Sequence, residues 1–332
     1  MQHSESGAAR QLAPSVRNRY LSGPMPLWTL TDFAAHEFPF PSFYVDPLIT
    51  PDSTTVVFGP REAGKTQFVL TLFRALQEGG LLLGHFPCRP VRAVLVQVDM
   101  PSVQMQKRVQ AALAQFPYSA AFGIYDAAAL NIMDASETTP WVKDIGAFKP
   151  EIVVFDSLRK IHTLSEIDTA APSLVYGRAR RLFPDAARVF LHHVTKPPGK
   201  VEKGATVRDA EDSFRGTSAW LDDADTGLLL NRYRRKRTFQ VTRGRHAEDD
   251  LKDLVMPIQL SDNGLFVELA EPTPITELIG WHQEHPEGSR NAAVTWISER
   301  YPRKTDRTYR RWCQHAGIGL EGADMAKCPD TR

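Results

Sequence analysis

One short run of residues has the composition and spacing of a loop that holds phosphate groups. Residues 59–66 read G-x-x-x-x-G-K-T and directly follow a strand-like run at residues 54–58. In this pattern the glycines let backbone N–H groups close around phosphate oxygens, Lys65 reaches the β- and γ-phosphates, and the Thr66 hydroxyl can ligate Mg²⁺. The apolar residues of 67–76 recur at helical spacing, so phosphate would lie at a helix N-terminus, where the macrodipole favours negative charge.

The motif and its flanks together predict that the chain binds ATP. The alternative is a chance match in a glycine-bearing loop, which would not require a strand before the motif and a helix after it. The residues predicted to contact the nucleotide form one continuous segment: Gly59, Pro60, Arg61, Glu62, Ala63, Gly64, Lys65, Thr66 and Gln67.

A second hydrophobic run ends in a carboxylate. Residues 151–155 are predicted to form a buried strand, and Asp156 follows at its end, which is the Walker B pattern. Downstream of a phosphate-binding loop, such an Asp holds Mg²⁺ through a water molecule or beside the Thr66 hydroxyl. The alternative is an Asp that only caps the next turn. We therefore predict Thr66 and Asp156 as the metal-binding pair, with Mg²⁺ as a cofactor of ATP.

Hydrolysis of ATP also requires a group that orients or deprotonates the attacking water. The candidate is Asp99, which ends the strand-like run 93–98 after the predicted P-loop helix. Asp99 could instead be a simple helix N-cap ahead of Pro101.

Two histidines follow another buried run. Residues 188–191 lead directly into His192 and His193. Histidines that leave a buried strand could contact the γ-phosphate and report its presence. They could also ligate a metal, or be core or capping residues.

Basic residues are concentrated in three later segments. The polar loop at 196–213 carries lysines that could contact a phosphate backbone, or it is only solvated. The cluster at 232–237 could bind nucleic acid or an acidic neighbour, or be a solvated turn. Arg243 and Arg245 lie on the following strand, where one of them could project into a neighbouring subunit's ATP site and stabilise charge in the transition state.

Strand-like and helix-like segments alternate through most of the chain, which predicts an α/β fold with a mostly parallel sheet flanked by helices. The predicted strands of this sheet are 54–58, 92–98, 122–125, 151–155 and 187–192. The predicted helices are 65–78, 101–115, 137–147 and 172–182. Two further strands, 227–232 and 238–243, are predicted to form a hairpin at the end of the sheet.

The C-terminal part has a different pattern. Pro272 and Pro274 indicate a linker, and three short amphipathic helices are predicted beyond it, at 275–285, 290–300 and 305–316. Thr305 is the predicted N-cap of the last helix, which carries Arg307, Arg310 and Arg311. The domains predicted are a flexible N-terminus (1–25), an ATPase domain (26–270) and a small helical module (271–332). The module is either a helix-turn-helix or winged-helix-like unit that binds DNA, or a helical cap on the ATPase core.

Composition restricts the class of protein. The 332 residues are 42% hydrophobic and 24% charged, with a formal net charge of +1, so affinity for nucleic acid must come from local basic patches. The three cysteines have no metal-binding spacing and cannot form an even disulfide set, which favours a reducing cytoplasm. The chain also lacks an apolar run long enough to span a bilayer, so we expect a soluble cytoplasmic protein with no membrane partner.

With these motifs in place, the chain resembles the RecA-like ATPases of the plasmid RepA hexameric replicative helicase type. The likeness covers about residues 26–270. Besides the P-loop, it rests on the lead-in at 43–49, the segments 99–101 and 156–158, the pair His192-His193 before Lys196, and residues 214–219 followed by Asp222 and Asp225.

The resemblance implies a RecA-like core that assembles as a homo-oligomeric ring, usually a hexamer, with ATP between subunits and single-stranded DNA in the channel. On that basis Lys65, Thr66 and Asp156 carry nucleotide and Mg²⁺, His193 senses the γ-phosphate, and Arg243 or Arg245 is the trans-acting finger. The sequence departs from the family at Asp99, where Glu is common.

Three functions remain open from the sequence. The leading hypothesis is a DNA helicase or helicase-like motor that hydrolyses ATP. The alternatives are a RecA-like recombinase or loader that does not unwind DNA, and a DNA-binding regulator that uses ATP as a switch with little turnover. The shorter side chain of Asp99 favours the last of these, because a misplaced attacking water slows hydrolysis.

Overall fold

The structure is a computed structural model that describes residues 27–36, 42–193, 218–233, 236–247, 249–252, 254–302 and 304–318. The flexible N-terminus predicted for 1–25 and the polar loop predicted at 196–213 therefore lie entirely outside the described residues. Residues 214–217, which contribute to the resemblance, also lie outside them.

The chain divides into two units, Met1–Pro39 and Phe40–Arg332. In the first, helix α1 spans Leu30–Ala35 and begins after Thr29, whose side chain accepts a hydrogen bond from the backbone N–H of Asp32. All other elements belong to the second unit.

The described strands of the second unit form a large sheet and a small one. In chain order they are β1 Thr54–Gly59, β2 Leu81–Leu82, β3 Phe86–Pro87, β4 Ala93–Gln97, β5 Phe122–Asp126, β6 Ile152–Asp156, β7 Ala187–His193, β8 Thr226–Tyr233, β9 Lys236–Gly244, β10 Val255–Leu260 and β11 Val267–Leu269. β2 and β3 pair with each other, and the remaining nine form one sheet in the order β11-β10-β9-β8-β1-β7-β6-β4-β5. Along this spatial order, the neighbours among β8, β1, β7, β6, β4 and β5 are all parallel. The neighbours among β11, β10, β9 and β8 are all antiparallel.

The described helices of this unit lie between and after the strands. They are α2 Lys65–Glu78, α3 Ser102–Leu113, α4 Pro140–Phe148, α5 Ala171–Leu182, α6 Ala219–Asp222, α7 Asp249–Lys252, α8 Pro274–Glu284, α9 Arg290–Arg300 and α10 Asp306–His315. A single 3₁₀ turn, Leu158–Lys160, follows β6.

Each parallel strand contributes to two hydrophobic cores, one on each face of the sheet. On β6, Ile152 and Val154 belong to the core that contains α2, while Val153 and Phe155 belong to the core that contains α4 and α5. Strands buried on both faces read as continuous apolar runs, because alternate side chains point to opposite layers of helices. The predicted α/β fold with a mostly parallel, helix-flanked sheet is confirmed.

The structure corrects three details of the predicted elements. The hairpin of β8 and β9 does not end the sheet, since β10 and β11 extend it further. The helix predicted from residue 137 begins only at Pro140. Proline has no backbone N–H, which costs nothing in the first turn of a helix because an N–H there has no partner within the helix. Pro274, predicted to lie in a linker, is likewise the first residue of α8.

The three C-terminal helices have a hydrophobic core of their own. Leu278 of α8, Ile297 of α9 and Trp312 of α10 belong to it, and Leu81 of β2 packs against it. Thr305 caps α10 by accepting from the backbone N–H of Thr308, as predicted from the sequence. Across residues 271–302 and 304–318 the structure shows helices and no strand. The described helices thus pack on the sheet-containing part of the unit as well as on one another.

A cavity of about 330 Å³ lies where these helices meet the part of the unit that contains the large sheet. Its lining includes Asp46 and His85 on one side and Arg311 and His315 of α10 on the other. Burial lowers the pKa of His85 to about 3 and that of His315 to about 4, so both imidazoles are neutral near pH 7. None of the lining residues belongs to the P-loop, and Arg311 faces this cavity.

In the part of the chain that the structure describes, no helix combines the length and the apolar character that crossing a bilayer requires.

The close approach of β1 and β8 generates a prediction about stability. A Cβ atom at Gly59 would lie 2.0 Å from the carbonyl oxygen of Leu230, a backbone atom that cannot rotate away. We expect Gly59→Ala to lower the free energy of unfolding by about 2 kcal/mol or more, measured by urea denaturation. The control is Gly146→Ala in α4, where nothing lies within 4 Å of the added atom. It should stabilise the protein by up to about 1 kcal/mol. Equal stability of the two variants would contradict the prediction.

Candidate functional site

The segment between β1 and α2 has the backbone of a phosphate-binding loop. β1 lies between β7 and β8 among the parallel strands, and α2 begins at Lys65 directly after the loop. Gly64 has a φ of 105°, a conformation that side-chain-bearing residues rarely adopt. Gly59 is required for a different reason, since any Cβ there would collide with Leu230. The two glycines of the motif are therefore required for different reasons, Gly64 for its backbone conformation and Gly59 for the close approach of Leu230.

The Lys65 ammonium lies inside this loop. Its Nζ donates to the carbonyl oxygens of Gly59 at 2.8 Å and Pro60 at 2.9 Å, and lies 3.2 Å from His193 Nδ1. Burial lowers the pKa of Lys65 to about 8, against the opposing effect of two nearby carboxylates. The hydrogen bonds of this ammonium go to two carbonyl oxygens and an imidazole nitrogen rather than to a carboxylate, so it is ready to bind an anion that enters the loop.

Thr66 and Asp156, predicted as a metal-binding pair, are in direct contact. Thr66 Oγ1 donates to Asp156 Oδ2 over 2.9 Å. Burial raises the pKa of Asp156, while the hydrogen bond from Thr66 opposes that effect. The contact exists because β6 and β1 are separated only by β7, so the carboxyl ends of these strands lie at one edge of the sheet. The peptide bond from Asp156 to Ser157 is cis.

Asp99 and His193 extend this cluster. Since an ammonium has only donors, the Nδ1 of His193 that faces Lys65 is the unprotonated nitrogen, and Nε2 carries the hydrogen. His193 Nε2 lies 3.7 Å from Asp99 Oδ2. The His193 imidazole holds the pKa of Asp99 below its ordinary value, although burial acts in the opposite direction. Asp99 is therefore ionised near neutral pH, as a residue that deprotonates water must be.

The two adjacent histidines have different surroundings. Only His193 reaches the P-loop, whereas the His192 ring lies 6.3 Å from that of Trp220 and is 1% exposed. Successive side chains of a strand point to opposite faces, so neighbours on β7 cannot share one site. No group of three or more His, Cys, Asp or Glu side chains in the described ranges could hold a metal ion.

Arg243 and Arg245 lie near the edge of the sheet at which β1 and β8 begin, whereas the P-loop lies at the edge at which β1 ends. The register of the hairpin pairs Arg243 with Gly227, near the start of β8, while the P-loop follows the far end of β1. Arg243 Nη1 lies 3.5 Å from Asp222 Oδ1, and Arg245 Nε lies 2.7 Å from Asp225 Oδ1. Neither arginine can therefore reach the P-loop of its own chain.

A different arginine of the hairpin does contact the P-loop. Arg232, near the end of β8, forms an ion pair with Glu62. Glu62 has a φ of 61° and its side chain is 78% exposed. Arg232 belongs to the basic cluster predicted at 232–237, of which residues 234 and 235 lie outside the described part. The sequence offered no signal for this pairing, because the partners are far apart in the chain.

The donor set fits a nucleoside triphosphate with Mg²⁺. The buried ammonium of Lys65 lies in a loop shaped by glycines and followed by a helix N-terminus, which favours phosphate. Magnesium is commonly held by one or two protein oxygens plus phosphate oxygens and water, and the Thr66–Asp156 pair offers such oxygens. The structure thus brings together five of the predicted residues, namely Lys65, Thr66, Asp156, His193 and Asp99.

Comparison with known families agrees with this geometry. A family model described as an AAA domain matches residues 20–199, more than half of the chain. The chain belongs to this AAA domain family. Membership makes it a P-loop ATPase of the RecA-like kind, with a nucleotide-binding site in the matched region. No curated protein matches the chain.

One further residue of the AAA domain is missed by sequence reasoning. Gln97 lies within the apolar run predicted as a strand, and its type alone gives no sign of a role. In the structure its side chain contacts the turn that carries Asp99. The feature that distinguishes Gln97 is that its amide is fully buried at the end of a strand. Burial is known only from the fold, so the sequence could not reveal it.

The depressed pKa of Lys65 predicts how nucleotide affinity depends on pH. Phosphate requires the ammonium form, which is lost in the free protein as pH rises through about 8. We expect the Kd for ATP to rise about 20-fold between about pH 7.5 and about pH 9.5, measured by isothermal titration calorimetry.

The matched control is Lys65→Arg, because a guanidinium keeps its charge throughout this range. The variant should bind more weakly overall, with a nearly flat pH profile. An equally steep profile in both proteins would assign the titration to another group.

Proposed function

We propose that this AAA domain hydrolyses ATP with Mg²⁺ at a site shared between copies of the chain, and uses the energy to act on single-stranded DNA as a hexameric, helicase-type motor. The observation that carries the proposal is the continuous set of contacts from Lys65 through His193 to Asp99. It links the group that binds phosphate to a carboxylate that can orient the attacking water.

Each residue of the cluster has a role in this proposal. Lys65 binds the phosphates, and Thr66 and Asp156 hold Mg²⁺, which neutralises phosphate charge when bound. His193 registers the γ-phosphate, because any shift of the Lys65 ammonium changes the contact at its Nδ1. Asp99 orients or deprotonates water.

The positions of Arg243 and Arg245 support a site between subunits. In their own chain they lie at the sheet edge away from the P-loop, so any catalytic role must be in trans. Each of their ion pairs has one exposed partner, Asp222 in the first and Arg245 in the second, so both pairs are weak and can exchange partners. The hexameric ring and the DNA channel rest on the resemblance to the RepA type of helicase.

The C-terminal helices are included in the proposal as a DNA-contacting module. Arg307 and Arg310 of α10 are exposed, and Arg310 pairs with Asp306. Arg311 lines the cavity toward the ATPase part. Any DNA contact of α10 would therefore use its outer face.

A DNA-binding regulator that uses ATP as a switch is the second candidate. It is favoured by the short side chain of Asp99, which lies beside His193. A carboxylate that is one methylene shorter than Glu can misplace the water by about 1 Å, at a cost on the order of 100-fold in rate.

Three assays separate the candidates. ATPase rates with and without single-stranded DNA are measured beside strand displacement on a forked duplex. Unwinding supports the helicase, and DNA-stimulated turnover without unwinding indicates a recombinase or loader. Nucleotide binding without turnover indicates the switch.

Substitutions at the site test its chemistry. Lys65→Ala should abolish nucleotide binding and turnover, because the loop loses its cation. Asp99→Asn should lower kcat on the order of 100-fold with ATP affinity retained, and Asp99→Glu should preserve or raise kcat. Turnover of all three variants is measured with a coupled ATPase assay, and nucleotide binding with a fluorescent nucleotide. Full turnover in Lys65→Ala would reject the P-loop assignment, and a 100-fold fall in Asp99→Glu would reject the role of Asp99.

Mixing experiments test whether the site is shared. We expect a variant with both Arg243→Ala and Arg245→Ala to lose on the order of 1000-fold in kcat. Mixed with Lys65→Ala, it should regain a measurable fraction of wild-type activity, because one subunit then supplies the P-loop and its neighbour the arginine. Size-exclusion chromatography with and without ATP and Mg²⁺ checks that both variants assemble. Assembly without recovered activity would contradict a trans-acting arginine.

A further inference from the structure

Gln97 is a polar residue at a fully buried position. It ends β4, and its side chain is 0% exposed, although the rest of this strand is apolar. Burying an amide is unfavourable unless every polar atom finds a hydrogen-bond partner. The surroundings of Gln97 therefore show why the fold tolerates it.

The Gln97 amide uses its full hydrogen-bonding capacity. Its oxygen accepts from the backbone N–H groups of Asp99 at 2.6 Å and Met100 at 2.8 Å. Its NH₂ group donates to the carbonyl oxygen of Met100 at 2.8 Å and to Asp126 Oδ1 at 2.8 Å. Two acceptor sites and two donors are thereby satisfied, so the side chain has one strongly preferred orientation.

Three of these four bonds go to the turn that carries Asp99. The fourth connects to Asp126, which ends the neighbouring strand β5 in register with Gln97. Asp99 is part-exposed, with 33% of its side chain accessible, so packing alone leaves it room to move. Its carboxylate is therefore located chiefly by the backbone of the turn, and the turn is held by Gln97.

We propose that Gln97 is a positioning residue for ATP hydrolysis. It holds the Asp99 carboxylate beside His193, and Asp126 anchors the amide in the orientation that makes this possible. The inference rests on the role proposed above for Asp99 and adds the residues that determine where that carboxylate lies.

The chemistry of the side chain explains why glutamine is required. Methionine has a similar length and volume but forms none of the four bonds. Glutamate could accept from both N–H groups, but it cannot donate, and its charge would face Asp126 and a carbonyl oxygen. Asparagine is one methylene shorter and would draw the turn toward β4.

The first test compares Gln97→Met with the wild-type protein. We expect kcat to fall on the order of 100-fold, because the water-orienting carboxylate is displaced by about 1 Å. The Kd for ATP should stay within about twofold, because the bonds of Lys65 do not involve this turn. A comparable fall in ATP affinity would indicate a general structural role and overturn the inference.

A double-mutant cycle with Asp99→Asn provides the decisive readout. A residue that acts only through Asp99 has nothing left to position once that carboxylate is gone. Gln97→Met should therefore cause little further loss of kcat in the Asp99→Asn background. Fully additive losses would overturn the inference. If Asp99→Asn alone leaves kcat unchanged, the proposed role of Asp99 fails instead, so the two failures are distinguishable.

Asp126 supplies a second, milder variant. It lies at an exposed position, so its replacement does not threaten folding even where Gln97→Met does. Asp126→Leu should lower kcat about 10-fold with ATP affinity retained, and Asp126→Asn, whose amide oxygen can still accept the bond, should restore most of that loss. Equal rates in the two Asp126 variants would overturn the anchoring role.

Discussion

The buried ammonium of Lys65 is the interaction on which the rest of the site depends. It is held by two P-loop carbonyl oxygens and by His193, in a position where burial lowers its pKa. The carboxylates of Asp156 and Asp99 offset only part of the effect of burial, and phosphate would supply further negative charge. The same ammonium determines which nitrogen of His193 carries hydrogen, and so how that ring faces Asp99.

The order of the strands makes these contacts possible. β1, β7, β6 and β4 are consecutive neighbours and all parallel, so the residues that follow or end them meet at one edge of the sheet. Each strand contributes one chemical group there: the P-loop from β1, His193 from β7, Asp156 from β6 and Asp99 from β4. Ligand sites at the carboxyl ends of parallel strands are the general outcome of this architecture.

The antiparallel hairpin of β8 and β9 separates the basic residues into two groups. β8 runs parallel to β1, which places Arg232 at the P-loop edge beside Glu62. β9 runs back, which places Arg243 and Arg245 at the other edge beside Asp222 and Asp225. One hairpin can thus contact the nucleotide loop of its own chain through Arg232 while presenting two other arginines, Arg243 and Arg245, at the opposite edge of the sheet.

Much of the fold and of the site could be predicted from the sequence, because the signals are local. The P-loop is a continuous motif, and the strands around it are apolar runs whose bounds agree with the structure to within a residue or two. Strand β11 was missed because it has only three residues, and β10 because Pro257 and Gln259 interrupt its apolar run. The pairing of β10 also depends on β9.

What the sequence by itself determined is the phosphate-binding loop, the alternation of strands and helices, and the residue types available for chemistry. Only the tertiary structure decided that Arg232 and not Arg243 contacts the P-loop, and that Gln97 holds the turn of Asp99. It also supplied the reason why His193, which the resemblance had singled out, enters the site and His192 does not. The physical reason is that these assignments depend on which face of a strand a side chain occupies and on which strands are neighbours. Both are set by long-range pairing in the sheet.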